Sequence, residues 1–269
     1  MASVKDQESS ESQGLKITVS DGVLIPDRSE SSIFSAWRIS FFGALAMVVA
    51  LPLLSPEPYV EIIRFLPDGI LRTFQVTIIS ILIALFIGLV TGLGRISRNP
   101  VINRIATVYV EVIRGIPLLV QLFYIYYALG KLVQVPRITA AIIAMSVCYG
   151  AYMGEIFRAG IQSIPKGQME AALAVGMSRR QALRLIILPQ TFRVILPPVG
   201  NEFIALLKDS SLVSILAVSD LLRRGREYAS TTFFYFEAYT MVALIYLVFT
   251  LFFSKVVAVM EERLQYRER

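Results

Sequence analysis

Apolar residues recur along this chain in runs long enough to cross a hydrocarbon layer about 30 Å thick, which takes roughly 20 residues at helical rise. The runs fall near Ile39 to Leu54, Ile70 to Leu93, Ile105 to Leu129, Thr139 to Phe157, Phe192 to Leu207 and Ala238 to Ala258. Their pattern predicts six membrane-spanning helices. The first run is short, and the fifth carries Pro197 and Pro198, each of which removes a backbone donor. Ahead of the first run a polar, Ser/Glu-rich stretch over about 1–37 predicts a disordered tail and lacks the basic-then-apolar order of a secretory signal.

Between the fourth and fifth runs the longest polar stretch of the hydrophobic body extends over 158–190. Pro165 suits a first helical turn, Gly176 a helix end, Ser178 the cap of a second helix, and Pro189 its stop. Met169, Ala172 and Leu173 recur at i, i+3 and i+4, as do Leu183, Ile186 and Ile187, so each short helix carries one apolar face. Such a face packs on its own subunit or docks a partner, and structured loops on rigid scaffolds commonly carry function. In the second run Gly88 and Gly92 lie four apart with Gly94 following. That small face serves either helix packing within the subunit or dimerisation.

Composition agrees with a chain held mostly in lipid: 55% of the residues are hydrophobic and 17% charged, with mean hydropathy +0.64. The net charge of +6 reads as membrane orientation once it is mapped. Four Lys/Arg lie before the first span, three in the loop Arg95 to Arg104, six from Arg158 to Arg193 and four from Lys255 onward, against groups of two, two and four on the other side. The positive-inside rule places the richer side, and both termini, in the cytoplasm. Nucleic acid is not implied as a partner.

The sequence holds no His and a single Cys, Cys148. That excludes a disulfide framework and a His-based metal or proton-relay site and leaves Cys148 as packing. No Gly-x-Ser-x-Gly elbow is present, and Gly130-Lys131 has Ile125 where a phosphate-binding loop needs its first Gly. The chain therefore reads as non-catalytic, with no cofactor of its own.

Ionisable groups within spans are expensive and become functional candidates. Glu111 and Arg114 stand three apart on one helical face; they form an internal ion pair or line a pathway. Pro117 follows and predicts a bend there, with Gln121 and Tyr124 continuing the polar side. Asn201 and Glu202 follow Pro197-Pro198, and Lys208, Asp209 and Ser211 close the fifth span. Adjacent opposite charges offer a donor for a carboxylate and an acceptor for an ammonium, or neutralise each other. Tyr149, Tyr152 and Glu155 recur at helical spacing, and interfacial anchoring accounts for the tyrosines.

Glu170-Ala171-Ala172, three residues, Gly176, nine residues, Ile186, one residue, Leu188-Pro189 resembles the cytoplasmic EAA motif of binding-protein-dependent ABC transporter permeases. The polar amino-acid branch (histidine, glutamine, arginine and opine permeases) is resembled further in Glu111-Val-Ile-Arg114-Gly115-Ile-Pro117-Leu-Leu-Val-Gln121, in Glu155-Ile-Phe-Arg158-Ala-Gly160-Ile-Gln-Ser-Ile-Pro165, and in Leu206-Leu-Lys208-Asp209-Ser210-Ser211-Leu212. The resemblance covers roughly 69–264. It implies an all-α membrane protein with the type I ABC importer transmembrane domain: five core helices, here with one extra N-terminal helix over 38–56 that makes six spans, and cytoplasmic coupling helices. It implies that Glu170, Ala171, Ala172, Gly176 and Ser178 couple to an ATPase, and that the Lys208-Asp209-Ser210-Ser211 segment lies near the outer gate. The implied partners are two cytoplasmic ABC ATPases carrying the ATP and Mg, a second permease subunit of the same or a related chain, an external amino-acid-binding protein and the lipid bilayer. The implied place is the bacterial inner membrane. The competing reading is an ion-coupled secondary amino-acid carrier, for which Glu111 is the candidate acid; paired inverted halves, which such a carrier needs, are not visible.

Overall fold

The computed structural model describes residues 35–266, with side chains to 264; the tail predicted over 1–37 lies outside the described residues as far as residue 34. Eleven α-helices follow in order: α1 (Ala36–Leu54), α2 (Pro56–Phe65), α3 (Pro67–Arg95), α4 (Pro100–Gly115), α5 (Leu118–Phe123), α6 (Arg137–Ser163), α7 (Lys166–Ala174), α8 (Arg179–Ala182), α9 (Leu188–Asp209), α10 (Leu221–Thr232) and α11 (Tyr235–Tyr266). Wider π turns at Tyr124–Ala128 and Leu183–Ile187 and tighter turns at Leu129–Lys131 and Ser210–Leu216 connect some of them. Among the described residues there is no strand.

Among the described residues five runs of helix are long and apolar enough to cross a membrane, Ala36–Leu54, Pro56–Arg95, Arg137–Ser163, Arg179–Leu216 and Tyr235–Leu264, and a sixth is Pro100–Gly115 with Leu118–Lys131, bent by 102°. The third predicted span is therefore broken at Pro117 instead of running straight from Ile105 to Leu129. Two helices were not foreseen. α2 continues almost directly into α3 and carries Pro56 in its first turn, and α10 lies between the fifth and sixth spans.

Packing centres on α3 and α6. Val76, Ala84, Met145, Met153, Leu206 and Val213 form one core between α3, α6 and α9, and Ile62, Leu66, Leu221, Tyr228 and Met241 form a second between α2, α10 and α11. The glycine face of α3 is spent within the subunit: a Cβ on Gly92 would sit 2.7 Å from Phe157 Cβ, and one on Gly88 would run into Met153. Removing the side chains lets the two backbones approach closely, where many small dispersion contacts add up. Outward-facing apolar side chains such as Phe42, Leu53 and Phe86 remain uncovered, as lipid-facing positions do in a medium as apolar as themselves.

At the basic end of the bundle Glu155 pairs with both Arg95 and Arg158, linking α3 to α6. At the opposite end Asp220 caps α10 by accepting from Leu222 N (3.2 Å) and Arg223 N (3.1 Å), and Thr73 Oγ1 accepts from Leu221 N at 3.1 Å.

Candidate functional site

The site begins with the bend between α4 and α5. Pro117 has no N–H, and the residue before a proline is pushed out of the helical region; Ile116 is extended (φ −107°, ψ 128°). The break strands carbonyls that a helix would have bonded. Gln121 meets two of them, its Nε2 donating to Ile113 O and Ile116 O at 2.8 Å each, with Cys148 Sγ at 3.7 Å. Carbonyls only accept, so the amide must present its NH₂ to them. Gln121 is accordingly buried at 6% exposure and pins the bend.

A cavity of about 530 Å³ opens between this bend, α6 and α9. Its polar lining is Arg114 from the end of α4, Cys148, Tyr149 and Tyr152 from α6, and Glu202 and Asp209 from α9. Glu202 and Asp209 are seven apart, hence on one face of α9. Tyr149 Oη donates to Asp209 Oδ2 at 2.8 Å, and the Arg114 guanidinium lies 5.0 Å from the centre of the Tyr152 ring. One exposed cation and two half-buried carboxylates thus face a common space and can offer charge-assisted hydrogen bonds, the stronger kind.

The sequence candidates divide around this cavity. Arg114, Glu202 and Asp209 line it. Glu111 is exposed and makes no ion pair with Arg114 among the described residues, so three-residue spacing did not produce the internal pair. Tyr124 is 63% exposed, and Asn201, Lys208 and Ser211 lie outside the lining. Lys208 is exposed while Asp209 turns inward; neighbours in a helix point about 100° apart, so the two charges do not share a face. Tyr149 and Tyr152, read as interfacial anchors, line the cavity instead, and Cys148 is part of its wall. The signal for them was present: both tyrosines sit on the face of α6 that also holds Cys148, but spacing alone does not say which face looks inward.

The polar loop forms a compact second feature. α7 starts after Pro165 and ends at Gly176, which adopts φ +86°; Gly176 N donates to Leu173 O (3.0 Å) and Met177 N to Ala172 O (3.1 Å). A left-handed residue at this point is the reason for glycine. Ser178 caps α8 in a reciprocal capping box with Gln181. Pro189 does not stop the second helix. The π turn Leu183–Ile187, in which Leu188 N reaches back to Leu183 O, places Pro189 in the first turn of α9, where its missing N–H is harmless. The second loop helix therefore runs straight into the fifth span. Ala172 is buried on its own subunit, whereas Glu170 and Ala171 are exposed, as are Leu173, Val175 (77%) and Leu185 (59%).

A family model described as "Binding-protein-dependent transport system inner membrane component" matches residues 80–266. The chain is 42% identical over 186 residues, 68% of its length and 83% of the relative's, to the probable amino-acid permease protein YxeN of Bacillus subtilis (strain 168). It is 38% identical over 206 residues, 76% of its length and 94% of the relative's, to the glutamine transport system permease protein GlnP of Escherichia coli (strain K12). A solved structure described as "Crystal structure of an amino acid ABC transporter with histidines" shares 41% identity and superposes with TM-score 0.73 over 76% of this chain and 96% of that one. The MetNI methionine ABC transporter, at 21% identity, shares the fold with TM-score 0.61 over 74% of this chain and 97% of that chain.

Proposed function

The chain belongs to the family of binding-protein-dependent transport system inner membrane components, and from that premise we propose that it is the permease subunit of an ATP-driven importer of polar amino acids. The observation that carries the cargo class is the cavity, where Arg114 faces Glu202 and Asp209. A zwitterion brings one carboxylate and one ammonium, and this lining supplies a partner for each. Relatives named as amino-acid permeases support the same reading. Family membership favours the importer over an ion-coupled carrier, for which Glu111 was the candidate acid and which nothing in the relatives supports.

The subunit works in an assembly with a second permease copy or relative, two cytoplasmic ABC ATPases and an external binding protein. ATP and Mg sit on the ATPases, and this chain contributes no catalytic group. Glu170, Ala171, Leu173 and Val175 present the surface on which an ATPase docks; Gly176 and the Ser178 capping box hold the two loop helices at a fixed angle. Because α8 runs through the π turn into α9, displacement of the loop is transmitted along one nearly continuous helix to Glu202 and Asp209. ATP binding draws the loops of the paired permeases together and opens the cavity outward, and hydrolysis resets it. In this reading the chain lies in the bacterial inner membrane, and the charge bias supports both termini in the cytoplasm.

The test is uptake of a panel of labelled polar amino acids into proteoliposomes holding the permease, its ATPase and its binding protein, with and without ATP on the ATPase side. ATP-dependent uptake that is lost in Gly176→Arg while the complex still assembles is the expected result. Nothing lies within 4 Å of a Cβ at Gly176, but its φ of +86° strains any L side chain, so the arginine distorts the turn that holds the two loop helices at their angle. Gradient-driven uptake by this chain alone overturns the reading.

A further inference from the structure

A groove of about 700 Å³ lies at the outer side of the bundle between the start of α1 and the last turns of α11, away from the cavity and the loop. Trp37, Phe41, Phe252, Val256 and Val259 form its apolar wall, and Lys255 and Arg263 are its charged members; among the described residues no carboxylate is in the lining, Glu261 and Glu262 preceding Arg263 outside it. Its size is within the range of about 300–1,000 Å³ usual for ligand sites.

The geometry sets a depth. The Trp37 indole N–H donates to Leu251 O at 3.0 Å, its ring stacks on Phe41 with centroids 5.0 Å apart, and Lys255 Nζ lies 5.7 Å from the ring centre. Tryptophan at the end of a span marks the membrane–water interface. α11 continues past that level, so Phe252, Lys255, Val256, Val259 and Arg263, at spacings of three and four, leave one stripe of its surface uncovered by α1. Phe41 and Phe252 lie at or below the Trp37 level, and Lys255 and then Arg263 lie successively farther along α11. The helix on the other side of the groove is itself peripheral: only 6% of the apolar window of α1 is buried.

We propose that this groove binds an anionic glycerophospholipid of the cytoplasmic leaflet, its phosphate between Lys255 and Arg263 and an acyl chain against Phe41 and Phe252. The leaflet rests on the cytoplasmic C-terminus proposed above; the site itself does not. Basic pockets between helix ends at a membrane surface have the chemistry for anionic headgroups, and the lining is complementary in charge to such a lipid and to no cationic one. Lipid seated here clamps the extra N-terminal helix to α11.

The full-length chain, purified in mild detergent, is titrated with phosphatidylglycerol and with phosphatidylcholine of the same acyl chains, and bound lipid is counted by native mass spectrometry. Phosphatidylglycerol is expected to bind more tightly, and Lys255→Gln and Arg263→Gln each to weaken it roughly fivefold while leaving phosphatidylcholine unchanged. Unaltered melting of the variants confirms that they fold. Equal affinity for the two lipids overturns the proposal, as does a double variant that binds phosphatidylglycerol like the parent. A several-fold gain on deleting residues 1–34, or loss of binding on self-association, also overturns it, because the chain's own tail or a second copy is then the occupant. Uptake is measured separately on the same variants: failed uptake with intact lipid binding faults the importer reading, and the converse faults this site. Protease access to the C-terminus in sealed vesicles reads the leaflet.

Discussion

Replacing Gln121 with Met keeps the volume of the side chain and removes both donors from the bend. Ile113 O and Ile116 O each lose a 2.8 Å hydrogen bond. Ile113 O keeps the Ile116 N–H at 3.4 Å, so Ile116 O alone is left without a donor, at a cost of about 1–3 kcal/mol. Gln121 Oε1 is itself buried with no partner, so its removal returns about 1–3 kcal/mol. The two offset each other, and the Met variant is expected to melt within about 2–4 °C of the parent, the equivalent of about 1 kcal/mol for a chain of this size. Gln121→Glu at pH 8 sharpens the test, since a carboxylate has no hydrogen to offer and repels both carbonyls; it melts below the Met variant. Thermal unfolding of the purified chain, followed by tryptophan and tyrosine fluorescence, reads both. A Glu variant that melts at or above the Met one refutes the assignment of Gln121 as the pin of the bend.

Gly92→Leu forces α3 away from Phe157 and Gly154 O, 2.7 and 3.0 Å from the new Cβ. A loss of about 1–3 kcal/mol and poor recovery of folded protein are expected, whereas Gly43→Leu, with nothing within 4 Å, melts as the parent does. Tyr149→Phe removes the 2.8 Å hydrogen bond to Asp209, worth about 1.5–3 kcal/mol to a charged acceptor; half-saturation for cargo is expected to shift several-fold with assembly intact, and unchanged uptake kinetics would place Asp209 outside the pathway. Asp220 lies outside the spans, and burial pushes its carboxyl up from 3.8 to about 7 against the lowering effect of the Arg223 and Leu222 amides. Its folded value exceeds its unfolded one, so its contribution is full below about pH 4 and lost as pH rises through 7. Stability should fall between about pH 4 and 7 and flatten in Asp220→Asn, which keeps a good cap; a parent profile already flat over that range rejects this.

Legibility followed the range of the forces involved. Gly176 and Ser178 were readable because a left-handed turn and a helix cap are decided within four residues, and the loop ends fall at both. Pro117 was readable as a bend for the same local reason. Pro189 was not readable as a passenger, since the π turn that accommodates it is stabilised by the span it leads into. Arg114, Glu202 and Asp209 were legible as costly groups in an apolar chain, but Glu111 and Lys208 carried the same signature and do not line the cavity.

By itself the sequence determined that the chain is helical and mostly in lipid, that its polar loop is a helix–turn–helix, and which charges need explaining. Hydrophobic length, local dihedral preference and the cost of charge in hydrocarbon are properties of neighbouring residues, and they survive without coordinates. Only the tertiary structure decided that the 102° bend brings Arg114 to the face of α9 holding Glu202 and Asp209, that Gln121 is buried to bond the stranded carbonyls, and that Tyr149 and Tyr152 look inward. Those outcomes depend on how α3 and α6 rotate to bury their glycine faces against each other. That rotation is set by contacts between residues as far apart in sequence as Gly92 and Phe157, which no local pattern contains.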